Sequence, residues 1–279
     1  VVQKFEPDKV VVFSIASDVT EILNFPWEAL LLPNGETIGI HPGYAVQRCI
    51  PSLATQTRFS FAASTPLRVL FMASAPDEFP SPPAKQEEEI FIKALHAMTP
   101  INLHVVTNRD RQSLIQAIRQ WHPHVVHLAG PALIQGTMGF FAFEESTGQA
   151  DVRSATEIAE EILCPSGAGL LVVSGREIGK PPPVAATGSL CQGIIASGRF
   201  PMAMTWPESL SSIESVPFLQ TFYSQLATGF AVHHALTQAR ATIATIEGCL
   251  SWILAALYAQ ENKQPSFTRI YEEHTHETR

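Results

Sequence analysis

The sequence predicts an α/β fold, a mostly parallel sheet with helices on both faces, and two observations carry that reading. Short apolar or β-branched runs alternate with amphipathic stretches along most of the 279 residues, the pattern of βα units joined by right-handed crossovers. Two of the runs, Val125-Val126-His127-Leu128-Ala129-Gly130-Pro131 and Leu170-Leu171-Val172-Val173-Ser174-Gly175-Arg176-Glu177, break into a glycine. In an open α/β sheet such a break delivers the next residue to the carboxyl edge, where sites form. No repeat of roughly 20–50 residues is visible, so the chain is not itself a solenoid.

Each element has a local reason. Residues 9–14 read as a strand, and Phe25-Pro26-Trp27-Glu28-Ala29-Leu30 starts a short apolar helix or turn. Pro33-Asn34-Gly35-Glu36 is turn chemistry between two apolar runs and predicts a hairpin. A Ser/Thr/Ala-rich stretch at 52–65 precedes a strand at 67–73, and 76–83 is a Pro-rich loop. Residues 87–96 form a helix with acidic residues in its first turn, where the helix dipole favours them. A strand at 103–107, an amphipathic helix at 110–121 and a strand at 125–128 follow.

Residues 138–144 are extended, and 154–163 is a helix opened by a capping box of Ser154 and Glu157. Then come a strand at 169–174, a helix at 187–197, a strand at 200–205, and helices at 213–227, 231–246 and 251–260. The organisation expected is one domain over 1–265, with a strand and hairpin part at 1–65 and an α/β core at 66–265, followed by a tail at 266–279 rich in His, Glu and Thr. That tail reads as a solvated or partner-bound extension. A chain that begins Val1-Val2 reads as a piece of a longer protein.

Composition narrows the function. Hydrophobic residues are 46% and charged residues 16%, so some apolar surface is expected to meet a partner, and the net charge of −8 argues against nucleic acid or an anionic membrane. No apolar run approaches the roughly 20 residues a membrane-spanning helix needs. The four cysteines, Cys49, Cys164, Cys191 and Cys249, form no C-x-x-C pair and read as reduced thiols of a cytoplasmic protein. No metal is expected: His122, His124 and His127 alternate as a strand leaving a loop does, and His233-His234 point apart on a helix. No cofactor is expected either, since a phosphate loop, a dinucleotide fingerprint and a nucleophile elbow are all missing.

Taken in order, the segments resemble the CHAT domain, a caspase-like module related to caspases and separase. The resemblance rests on Phe25 to Leu30, on Leu67-Arg68-Val69-Leu70-Phe71-Met72-Ala73-Ser74-Ala75-Pro76 with the acidic helix after it, and on the two strand ends. It continues through Gly188-Ser189-Leu190, Met202-Ala203-Met204-Thr205-Trp206-Pro207, Phe218, Phe222-Tyr223 and Gly229, Ala239-Arg240 and Ser251-Trp252. The match runs from about residue 10 to about residue 260 and implies a caspase-like three-layer sandwich.

In active members of that family, His-x-x-Gly-His-Gly ends the first strand and its second His is the general base. A pattern similar to Asn-Ala-Cys-Glu-Ser ends the second strand, and its Cys is the nucleophile. His127, Gly130 and Glu177 match, but Pro131 stands at the base position, Ala132 at the next Gly and Arg176 at the nucleophile position. The resemblance therefore implies no catalytic residues and a vestigial crevice of His127, Gly130, Ser174, Gly175, Arg176 and Glu177. Trp27 and Trp206 read as core aromatics, and Arg176 as paired with Glu177, Asp151 or Glu144, or with a partner's carboxylate.

The expected function is a catalytically inactive, caspase-like regulatory module that binds a protein: an active homologue, or a helical-repeat segment of the same protein. One alternative is an active cysteine peptidase with a relocated or partner-supplied dyad, such as Cys164 with His127, or Ser174 used as the nucleophile beside His127. Another is a small-molecule or nucleotide sensor using the same crevice.

Overall fold

A computed structural model describes residues 10–50, 60–62, 66–79, 84–96, 98–164, 167–177, 186–207, 212–260 and 268–270. In chain order the elements are β1 (Val11–Ala16), α1 (Thr20–Leu23), a 3₁₀ turn (Trp27–Ala29), β2 (Tyr44–Ile50), β3 (Ser60–Ala62), β4 (Leu67–Ala73), α2 (Ala84–Leu95), β5 (Ile101–Val105) and α3 (Arg111–Trp121). Then follow β6 (Val125–Gln135), β7 (Met138–Glu144), β8 (Ala150–Ser154), α4 (Ala155–Glu157) continuing as a π-helix (Ile158–Leu163), and β9 (Leu170–Glu177). The chain goes on through α5 (Ala186–Ala196), β10 (Met202–Pro207), α6 (Ser212–Ala227), α7 (Val232–Ala244), a 3₁₀ turn (Ser251–Leu254), β11 (Ala256–Gln260) and β12 (Thr268–Ile270).

The main sheet runs β1-β2-β11-β10-β9-β6-β4-β5, and β7 and β8 extend it as a ribbon off β6. Neighbours along that order are parallel except β10 and β11, which are antiparallel. The buried strands β4, β6 and β9 are nearly continuous apolar runs, as expected of strands covered on both faces. One face carries a core with Phe71, Phe91, Trp206, Phe218, Tyr223 and the apolar side of α7, and the other a core with Phe141, Phe143, Ile158, Leu190 and Ile194. The α/β three-layer sandwich is thus the observed fold.

The expected Ser154–Glu157 capping box is present in full, and the helix expected at 110–121 is α3, which the structure shows capped by Asp110 accepting from the Ser113 amide at 2.8 Å. The Pro33 to Glu36 turn closes only a single antiparallel bridge, Leu31 with Thr37, so the hairpin is a minimal one.

Three readings are corrected. Residues 251–260 are a 3₁₀ turn followed by β11, not a helix: every residue of β11 is buried, and a helix offers no polar face to such a run. Strands β2 and β8 went unread because Gln47, Arg48 and Arg153 interrupt their apolar pattern. Part of the tail is not a free extension, since Thr268–Ile270 pairs parallel with Ser60–Ala62; residues 271–279 lie outside those described.

Candidate functional site

The two strand ends do not turn at their glycines. β6 runs on through Gly130 to Gln135, β9 runs on through Gly175 to Glu177, and their register places Pro131 opposite Arg176. The expectation of a turn after each glycine is therefore corrected, although the position at the carboxyl edge is kept. β4 stops pairing with β6 at Ala129, and β10 stops pairing with β9 at Gly175, so the pair lies just past both flanking strands.

Pro131 is tolerated in this central strand for a local reason. On one side β6 leaves β4 after Ala129 and takes up β7 only from Ala132, so residue 131 has no ladder partner there. Gly130 enables that change of partner with φ of +150°, and a Cβ on it would stand 2.7 Å from the Ser74 carbonyl oxygen. A Cβ on Gly175 would collide with the Thr187 methyl. Both glycines are thus required by close packing.

His127 and Ser174 meet one turn of the pleat deeper. His127 Nε2 is 3.0 Å from Ser174 Oγ, and His127 Nδ1 is 2.8 Å from the Tyr223 hydroxyl on α6. The ring packs edge-on to Phe91 at 4.6 Å and tilted to Phe71 at 5.4 Å between centroids. Only 1% of His127 is exposed, and burial pushes its pKa down to about 3. The adjoining cavity, about 50 Å³, is lined by Phe71, Glu87, Phe91, Ser174 and Trp206 among others. That is room for a water or two, not for a peptide side chain.

A Ser–His contact suggests acyl transfer, but a working pair needs a basic imidazole oriented by an anion. Here the third group is Tyr223, whose hydroxyl is pushed far up by burial and stays neutral. An imidazole with a pKa near 3 is a weak base at neutral pH. The arrangement ties β6, β9 and α6 together through two buried hydrogen bonds.

The other sequence candidates are separated. Cys164 is exposed after the π-helix, on the sheet face opposite His127, and Cys191 is fully buried with its thiol pushed up by burial. His122 ends α3 in a left-handed conformation, while His124 Nδ1 accepts from the Arg68 amide at 3.1 Å, so the three alternating histidines do not converge. Trp206 is buried and stacks on Phe218 at 3.5 Å, whereas Trp27 is only half-buried. The side chains of Arg176 and Glu177 lie outside those described. Of their suggested partners, Asp151 is engaged by Arg111 at 3.1 Å and Arg153 at 2.6 Å, and Glu144 lies 4.0 Å from Arg109.

A buried ionic cluster was missed by sequence reasoning. Glu28, Arg48 and Arg240 are each at most 1% exposed, with Glu28 between the two guanidiniums. Arg48 also donates to the Leu23 and Phe25 carbonyls at 2.9 and 3.0 Å, and Arg240 to the Ala255 carbonyl. Burial alone would raise the Glu28 pKa, and the two arginines more than reverse that, holding it below its ordinary value. Burial pushes Arg240 down to about 10 despite Glu28 beside it.

The sequence pattern of the CHAT domain matches residues 4–267. The chain belongs to the CHAT-domain family. Among solved structures, this CHAT domain is similar to the Drosophila initiator caspase Dronc, with 8% identity, a TM-score of 0.45, and coverage of 78% of this chain and 94% of that one. A search of curated proteins finds no match. Among the described residues, no helix is long and apolar enough to cross a membrane.

Proposed function

We propose that this CHAT domain is a catalytically inactive, caspase-like module that acts in the cytoplasm by holding a protein partner. The observation that carries the reading is the register of Pro131 with Arg176 at the carboxyl edge of β6 and β9. By family resemblance these are the positions of the general base and the thiol nucleophile. Proline has no side-chain proton to accept or give, and a guanidinium stays charged below a pH of roughly 12. Neither half of a cysteine-peptidase dyad is present there.

A binding role is supported by the surface. Among the described residues β1 is an edge strand of the main sheet with Val11 and Phe13 exposed, and Ile22, Phe25 and Leu31 on the segment that follows it are exposed as well. The partner expected is an active homologue or a helical-repeat segment of the same protein. The second reading, a hydrolase with a relocated dyad, draws on the 3.0 Å contact of His127 with Ser174. It is opposed by the depressed basicity of that imidazole and by the small cavity.

Tagged protein recovered from its native cells under gentle conditions tests the reading. A protein recovered in fixed stoichiometry, and lost when Phe13 and Leu31 are changed to Asp, supports it. Recovery of the chain alone, or with a small metabolite only, counts against it.

A further inference from the structure

The main sheet ends on β1, and the register of that strand leaves one side of its backbone unused. The Val11 amide donates to the Gly43 carbonyl at 2.9 Å, and the parallel ladder continues one-to-one from Val11 opposite Tyr44 to Ala16 opposite Cys49. In such a ladder alternate residues turn both backbone groups towards the same neighbour. Val11, Phe13 and Ile15 therefore bond to β2, whereas the N–H and C=O of Val12, Ser14 and Ala16 face away from it. Among the described residues no strand lies on that side.

β1 also lacks the features that usually keep an edge from pairing with another chain. It has six residues, no bulge, no proline and no charge, and the uncharged stretch runs from Val10 to Ser17. Val11 is 53% and Phe13 38% exposed, and the Phe13 ring lies 5.7 Å from that of Tyr44. At the other end of the strand order β5 instead exposes Asn102 and His104.

We propose that β1 pairs antiparallel with β1 of a second copy of this chain, about a twofold axis at Ser14. Antiparallel strands exchange hydrogen bonds only between residues whose backbone groups face each other, so Val12, Ser14 and Ala16 must meet the same three of the other copy. Centring on Ser14 uses all of them: Ser14 meets Ser14, and Val12 meets Ala16 twice. Centring on Phe13 would pair Val12 with Ser14 and leave Ala16 to Val10. On the Ser14 axis Phe13 also lies across from Ile15, an apolar cross-strand pair formed twice. The two halves are matched in length, parity and apolar pattern because they are the same strand, the condition for a self-complementary contact. The net charge of −8 on each copy meets no like charge there. The inference rests on the reading of β1 as a protein-facing edge, not on the lost dyad.

Sedimentation of the folded chain over a hundredfold range of concentration tests it, with Ser14→Lys and Ser14→Glu as variants. The wild type is expected to pass from monomer to dimer and each variant to stay monomeric through the same range. An equimolar mixture of the two variants is expected to recover the dimer. A second measurement uses Ser14→Cys in a Cys164→Ser background, which removes the exposed thiol. Mild oxidation should then link two chains, since a hydrogen-bonded pair sets its Cα atoms about 5.5 Å apart, within disulfide reach. Val12→Cys in the same background should not link, because its counterpart lies four residues along the other strand. A monomeric wild type, a dimer that both charge variants leave intact, variants that do not reassociate on mixing, or equal linking at positions 12 and 14 would each overturn the proposal. If a monomeric chain still recovers another protein through Phe13, the function proposed above stands while this inference fails; a dimer recovered with no other protein does the opposite.

Discussion

Pro131 and Arg176 are register partners on β6 and β9, side by side where both strands outrun their neighbours β4 and β10. If that edge is a crevice emptied of its chemistry, restoring both residues is the informative change. The double variant Pro131→His, Arg176→Cys is expected to fold and to gain slow peptide hydrolysis that iodoacetamide abolishes, with neither single variant active. Turnover of a fluorogenic peptide mixture measures it, and activity in either single variant would contradict the paired-site account.

His127 makes the protein acid-sensitive in a defined window. Its folded pKa of about 3 lies below the ordinary 6.5, so the unfolded chain takes the proton first. Stability is therefore full above pH 6.5 and falls as pH drops from 6.5 towards 3. The slope from this residue is about 1.4 kcal/mol per pH unit, hence roughly 2 kcal/mol between pH 7 and pH 5. Unfolding free energies from urea titrations at the two pH values should differ by that much more in the wild type than in His127→Gln.

Among the described residues, Glu28 is the only acid in a buried cluster that also holds Arg48 and Arg240. Glu28→Gln leaves two guanidiniums facing each other out of water, and the loss of a buried partner typically costs about 3–5 kcal/mol. Urea unfolding should show a loss of that order. A loss under about 1 kcal/mol would mean the cluster is solvated.

Gly130→Ala combines a φ of +150° with a Cβ only 2.7 Å from the Ser74 carbonyl oxygen. The expected loss is about 1–3 kcal/mol in thermal or denaturant unfolding, from backbone strain alone. An unchanged midpoint would show that β4 and β6 can separate at this point without penalty.

The alternation of strands and helices was legible because β4, β6, β9 and β10 are nearly continuous apolar runs and α4 opens with its own capping box. β11 was misread because a five-residue buried run has no polar face to reveal its period. At the site, the sequence located Pro131, Arg176, His127 and Ser174 but not Tyr223, whose hydroxyl arrives from α6, 96 residues along the chain from His127. Glu28 and Arg240 sat in two separately recognised motifs, and only the fold joins them, across 212 residues, at 2.8 Å. Long-range polar pairs leave no local signature; local caps and apolar runs do.

The most direct test of inactivity is exposure of the unaltered chain to a degenerate peptide library, with product identified by mass spectrometry, before and after thiol alkylation. The account predicts no cleavage above the buffer rate under either condition. Cleavage that disappears on alkylation, or that disappears in Ser174→Ala, would contradict it.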